Sequence, residues 1–169
     1  LFAKPFDLLL GRKTYDIFAA HWPYVEKDDP IGPLFDRIDK YVATRNPDFK
    51  PTWQNSHVLG PDSIAAVRKL KSGDGPDLLT QGSTEFLKAL FENDLVDEVH
   101  ISVFPVILGK GKRLFGDASF PRALTLIDSR TSDTGIVMSR YARAGDIAIG
   151  SFEFETPTDA ELERRRNLT

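Results

Sequence analysis

Residues Pro76 to Phe115, PDLLTQGSTEFLKALFENDLVDEVHISVFPVILGKGKRLF, decide the fold. A short apolar run, Asp77 to Thr80, breaks at Gln81-Gly82 and gives way to Ser83-Thr84-Glu85 and then to apolar Phe86, Leu87, Leu90 and Phe91. Phe86 and Leu90, like Leu87 and Phe91, stand four apart, and Ser83 or Thr84 can cap a helix whose first turn holds Glu85. Leu95 to Val106 then alternates, with Val99, Ile101 and Val103 on one face and His100, Ser102 and Phe104 on the other. The order is strand, helix, strand, which predicts parallel pairing and a right-handed crossover.

A glycine between a buried strand and a helix lets another molecule approach the backbone, and the helix start offers free N–H groups and a positive dipole end. Those are the parts of a phosphate site. A lone glycine at such a junction is better explained by a tight turn. The chain carries the pattern twice, however: Asp7-Leu8-Leu9-Leu10-Gly11-Arg12-Lys13-Thr14-Tyr15 is also an apolar run, a glycine and a polar helix start, followed by Ile17 and Phe18. Two such junctions in one domain predict one elongated phosphorylated ligand between them.

Composition bounds the rest. At 169 residues the chain suits a single domain that buries about 70% of its unfolded surface. A hydrophobic content of 41% marks an ordinary globular protein, and the uncharged apolar runs are far too short to span a bilayer. No cysteine occurs, which excludes disulfides, thiolate catalysis and cysteine metal sites. A formal charge of -3 with both signs interspersed argues against a nucleic-acid surface. The cytoplasm is the default compartment for such a chain. There is no initiator methionine, and Leu1 to Phe6 reads as the end of an earlier element.

After the first helix, His21-Trp22-Pro23-Tyr24 closes the element and Glu26 to Pro33 is a polar turn. Leu34 to Ile38 reads as a short helix, Lys40 to Thr44 as a strand that ends at Arg45-Asn46-Pro47, and Asn55 to Leu59 as a further strand. Pro61 starts a helix carrying Ile64, Val67 and Leu70 that stops at Ser72-Gly73. Leu124 to Asp128, Ile136 to Ala142 and Ile147 to Phe154 read as antiparallel strands, with turn residues at Ser132 to Gly135 and Ala144 to Asp146. Asp159 to Arg166 places Glu161 and Glu163 near Arg164, Arg165 and Arg166 and predicts an exposed helix with ion pairs. The predicted class is therefore α/β: a single three-layer domain over 1–156, with a central, predominantly parallel mixed sheet, helices on both faces and an antiparallel C-terminal hairpin. Residues 157–169 form a charged tail.

Several chemistries fall away on spacing. Gly109-Lys110-Gly111-Lys112-Arg113 lacks the G-x-x-x-x-G-K-[ST] pattern and reads as a turn, and Ser83 lacks the G-x-S-x-G elbow of serine hydrolases. His21, His57 and His100 are not at metal-ligand spacing, so no metal is predicted.

Gly11-Arg12-Lys13-Thr14-Tyr15, Thr44-Arg45-Asn46, Gln81-Gly82-Ser83-Thr84 and Leu95 to Val99 through Pro105-Val106-Ile107-Leu108-Gly109 to Phe115 together resemble the dihydrofolate reductase fold superfamily. The closer likeness is to its branch similar to the reductase domain of the riboflavin-biosynthesis deaminase-reductase. That resemblance implies NADPH, with Gly11, Arg12, Lys13 and Thr14 at the pyrophosphate and adenosine phosphate, Thr44 and Arg45 at the adenosine end, and Gly82, Ser83 and Thr84 at the pyrophosphate from the second helix, with Gln81 also among the cofactor-binding residues. Ile17, Phe18 and Trp22 resemble substrate-side positions, although each equally suits core or lid packing. A homodimer is implied as well.

Two departures qualify the likeness. Dihydrofolate reductases join consecutive glycines by a cis peptide at the second junction, whereas here Gln81 precedes Gly82, and a non-proline cis bond costs ~3 kcal/mol. The family's first strand and helix, which carry the nicotinamide contacts and the substrate carboxylate, are expected before Leu1, so no catalytic residue is assigned. Two functions follow: an NADPH-dependent reductase of a pterin-like or aminopyrimidine-like heterocycle, or a dinucleotide-binding or protein-interaction relative that has lost turnover.

Overall fold

The computed structural model describes residues 2, 4–113, 115, 121–148 and 156–167. Strand β1 (Phe6–Gly11) lies at its centre, and all six of its residues are buried. A strand buried on both faces reads as a continuous apolar run, and FDLLLG is one apart from Asp7, whose Oδ1 accepts from Asp39 N–H at 3.1 Å. It pairs in parallel with β2 (Lys40–Ala43) on one side and β4 (Asp77–Leu79) on the other, and β2 pairs in parallel with β3 (Ser56–Val58). The sheet order is β3-β2-β1-β4.

Alternation along β1 splits the interior in two. Phe6, Leu8 and Leu10 join Tyr15, Phe35, Val42 and Trp53, under α1 (Arg12–Ala19) and α2 (Gly32–Arg37). Leu9 turns the other way and meets Val67, Phe86 and Leu90 of α3 (Ser63–Lys71) and α4 (Thr84–Glu92). The result is the expected three-layer α/β arrangement, with helices on both faces of a parallel sheet.

The antiparallel part forms its own sheet, order β5-β7-β6, from β5 (Glu98–Val103), β6 (Leu124–Thr131) and β7 (Val137–Arg143). Ser132 to Gly135 makes the predicted hairpin turn, with Gly135 at φ +82. The parallel pairing expected between the strands flanking α4 is corrected here: among the described residues β4 pairs with β1 and β5 with β7. A three-residue β4 offers little ladder, whereas β7 gives β5 six paired residues. The strand predicted over Ile147 to Phe154 lies largely outside the described residues. In the tail, α5 (Asp159–Arg166) is capped by Thr158 and carries the predicted ion pairs from Glu161 to Arg164 and Arg165 at 2.6 and 2.9 Å.

Among the described residues two ionisable side chains are buried in this framework, Asp7 and Lys40. Lys40 is fully buried, and its Nζ donates to the carbonyls of Phe35, Ile38 and Asp36 at 2.6, 2.9 and 3.3 Å while lying 4.3 Å from the Trp53 ring centre. It thereby satisfies the carbonyls that end α2. Burial lowers its pKa from 10.5 to about 8, against the opposing pull of Asp36, Asp39 and Asp7.

The folded value lies below the unfolded one, so between about pH 8 and 10.5 the unfolded chain holds a proton that the folded chain has released. The Lys40 contribution to stability therefore rises with pH across that window. Urea unfolding at pH 7 and pH 9.5 checks this: relative to Lys40→Met, the parent should gain stability at the higher pH. A difference between the two proteins that does not move with pH would refute it.

Candidate functional site

Because β1 and β4 run in parallel, their carboxyl ends reach the same sheet edge and α1 and α4 begin side by side. The two glycines there interlock with residues of the opposite junction. A Cβ built on Gly11 would stand 2.3 Å from Ser83 Oγ and 3.1 Å from Ser83 Cβ, so Gly11 is needed for close approach and not for its extended backbone (φ -70). Gly82 is at φ +121, where side-chain-bearing residues are strained, and a Cβ there would meet Thr14 Oγ1 at 3.3 Å. Thr80 Oγ1 donates to the Gly82 carbonyl at 3.0 Å and fixes the same turn.

A cis peptide is present and joins Gly82 to Ser83, one residue after the Gln81-Gly82 bond whose isomer the sequence left open. Ser83 also departs from expectation. It is the N-cap residue of α4 yet makes no side-chain cap hydrogen bond, because its hydroxyl is packed against Gly11. Gly11 at the start of α1 provides no side-chain cap either. Both helix starts thus keep N–H groups without side-chain acceptors, which favours an anion in front of them. The first turn of α1 is the more positive: it holds Arg12 and Lys13 and no acid, whereas that of α4 holds Glu85.

The pairing of Gly11 with Ala43 brings the end of β2 alongside, so Thr44 and Arg45 follow at this edge. Thr44 Oγ1 accepts from Asn46 N–H at 3.1 Å, and Asn46 Oδ1 accepts from Asp48 N–H at 3.0 Å, which curls the loop. Phe49 then packs edge-on against Tyr15 at 5.5 Å between ring centres. The buried Tyr15 hydroxyl accepts from the N–H groups of Thr52 and Trp53, both at 2.9 Å, and ties the returning chain to α1. Arg12 lies in the angle: its Nε donates to Asp16 Oδ1 at 2.8 Å, and its Cζ stands 3.9 Å from the Phe49 ring centre.

The remaining candidates divide. Lys13, Arg45 and Gln81 are exposed, while Thr14, Gly82, Ser83 and Thr84 are half-buried between the two helix starts. Ile17 is 67% exposed. Phe18 stacks on Phe35 at 6.1 Å and Trp22 meets the same ring edge-on at 5.1 Å, in the core packing that the sequence allowed as their alternative. The sequence reading passed over Thr80, Phe49 and Asp16. Only the four-residue spacing of Arg12 and Asp16 was a usable signal.

The fold and site together define a parallel α/β domain in which two glycine junctions meet at one sheet edge. The profile of the RibD C-terminal domain matches residues 1–138, and the chain belongs to that family. It is similar to the uncharacterised Bacillus subtilis protein YyaP, 31% identical over 138 residues, which is 79% of this chain and 72% of YyaP. YwjB of the same organism is 29% identical over 139 residues, 81% and 73% of the two chains. The fold is shared with a putative riboflavin biosynthesis protein from Shewanella, at TM-score 0.65 and 21% identity over 82% of this chain and 73% of that one. A pyrimidine reductase-like protein from Corynebacterium diphtheriae matches at TM-score 0.52 and 22% identity, over 83% and 62%. These findings support a reductase-like family function.

The interlock yields a test of the site's architecture. Gly11→Ala should destabilise the protein by about 1–3 kcal/mol through overpacking against Ser83. Adding Ser83→Gly removes both contacting atoms and should recover much of the loss. In chemical denaturation the pair should show coupling of about 1 kcal/mol or more. Additive losses would mean that the two junctions do not press on each other.

Proposed function

We propose that the chain is an NADPH-dependent reductase that transfers a hydride to a pterin-like or aminopyrimidine-like heterocycle. The observation that carries this reading is the reciprocal contact of Gly11 with Ser83 and Gly82 with Thr14, which makes one binding edge out of two helix starts. The residues fit the dinucleotide. Gly82 holds a positive φ that a branched side chain would resist, both helix starts lack side-chain caps, and Thr14 and Thr84 add hydroxyls.

In this reading Gly11, Thr14, Gln81, Gly82, Ser83 and Thr84 receive the pyrophosphate. Arg12, Lys13, Thr44 and Arg45 hold the adenosine end. When bound, the nicotinamide supplies the hydride, and the protein contributes orientation and electrostatics. The bases also set cofactor choice. NADH-binding folds place an acid on the ribose 2′-hydroxyl, whereas this strand end carries Arg45, with Arg12 beside it.

We also infer a homodimer. Val103, Phe104, Val106, Ile107 and Leu108 are all more than half exposed at the end of β5, a contiguous apolar segment of the kind that a partner covers. Light scattering at micromolar concentration should give twice the chain mass; a monomer mass would contradict the inference.

Cofactor choice is tested by calorimetry at fixed ionic strength. The parent should bind NADPH more tightly than NADH. Arg12→Ala and Arg45→Ala should each weaken NADPH about tenfold or more, since a charge-assisted contact is worth roughly 1.5–3 kcal/mol, and should leave NADH nearly unchanged. Equal affinities in the parent would sink the preference. NADPH that binds but is not consumed with any member of a heterocycle panel would favour the non-catalytic relative instead.

A further inference from the structure

We propose that Phe49 is a positioning residue for cofactor discrimination: its ring is the shelf that presents the Arg12 guanidinium to a phosphate monoester, the adenosine 2′-phosphate. The inference deepens the NADPH reading and rests on it. Arg12 is the first residue of α1, and a free arginine side chain there would sample many rotamers before meeting an anion. Two contacts remove that freedom. Asp16, one turn on, takes Nε at 2.8 Å, and Phe49 lies against the guanidinium at 3.9 Å from Cζ to ring centre. Among the described residues Nη1 and Nη2 make no hydrogen bond, so the edge suited to a two-pronged phosphate contact is held in place and unspent.

Phe49 is itself fixed. It packs edge-on against Tyr15, whose hydroxyl accepts the N–H groups of Thr52 and Trp53, and its own N–H donates to Asn46 O at 3.3 Å. The loop that carries Arg45 and the helix that carries Arg12 are therefore joined through one aromatic stack. A ring that only filled space would not need its face on a cation; this one offers Arg12 its negative quadrupole, an attraction that grows as the pair is desolvated by a ligand.

The experiment measures Kd for NADPH and NADH with the parent, Phe49→Leu, Phe49→Tyr, Arg12→Gln and the Phe49→Leu/Arg12→Gln double variant, with a thermal melt for each. Phe49→Leu should weaken NADPH about three- to tenfold and leave NADH within twofold. Phe49→Tyr, which keeps the ring face, should retain the parent preference. In the Arg12→Gln background, Phe49→Leu should have no further effect on NADPH, because the ring acts through Arg12. Should the Leu variant melt below the assay temperature, Phe49→Met repeats the comparison. Equal losses for both nucleotides, no loss for NADPH, or a loss that persists without Arg12 would overturn the role of Phe49 while leaving NADPH binding intact. A parent that does not distinguish the nucleotides would overturn the 2′-phosphate reading itself, and this inference with it.

Discussion

The missing side chain of Gly11 is the constraint from which the site follows. Parallel pairing brings β1 and β4 to one edge, but strands alone do not bring two helix starts into contact. That takes a residue whose Cβ position can be surrendered to Ser83, and a second glycine, Gly82, whose positive φ turns the chain beneath Thr14. Each junction fills the space that the other leaves. The hydroxyl that could have capped α4 is used for this contact, which leaves the α4 N–H groups without a side-chain acceptor. Close packing and an uncapped helix start are thus two results of one steric choice.

A second anchor acts on the neighbouring loop. Tyr15 is almost fully buried beneath β2's outgoing chain, and its hydroxyl is the acceptor for two successive backbone N–H groups. This holds Phe49, and through it Arg12, at the carboxyl edge of the sheet. At the other end of β2, Lys40 plays a comparable part for α2, whose terminal carbonyls it satisfies from inside the core. A buried ammonium is costly unless fully hydrogen-bonded, and three carbonyls with an aromatic face meet that condition. The chain from α2 to β3 is therefore tied at two points by single buried polar groups, Lys40 and Tyr15.

The antiparallel sheet has a different character. Every residue of β6 is exposed, and β5 buries none of its residues fully. Its strands are held by cross-strand pairs such as Ser129 with Ser139, and by Arg122 and Arg143 reaching Asp94 beyond α4. The contrast follows from layers. β1 has helices on both faces, whereas no described helix contributes buried apolar residues against β5, β6 or β7.

The sequence by itself determined what depends on local period and local chemistry. An apolar run marked β1 as a buried strand, four-residue spacing made α4 an amphipathic helix, and two strand-glycine-helix segments marked both junctions. The acid-base spacing in Asp159 to Arg166 likewise specified the ion pairs of α5. Tertiary structure decided what depends on partners distant in the chain. It turned Ser83 from a cap into a wedge against Gly11, 72 positions away. It moved Phe18 and Trp22 onto Phe35, gave β5 to β7 instead of β4, and brought Phe49 under Arg12. The physical reason is that a side chain's period fixes which face it occupies, whereas its contact is fixed by whichever distant residue the sheet register and loop path bring to that face.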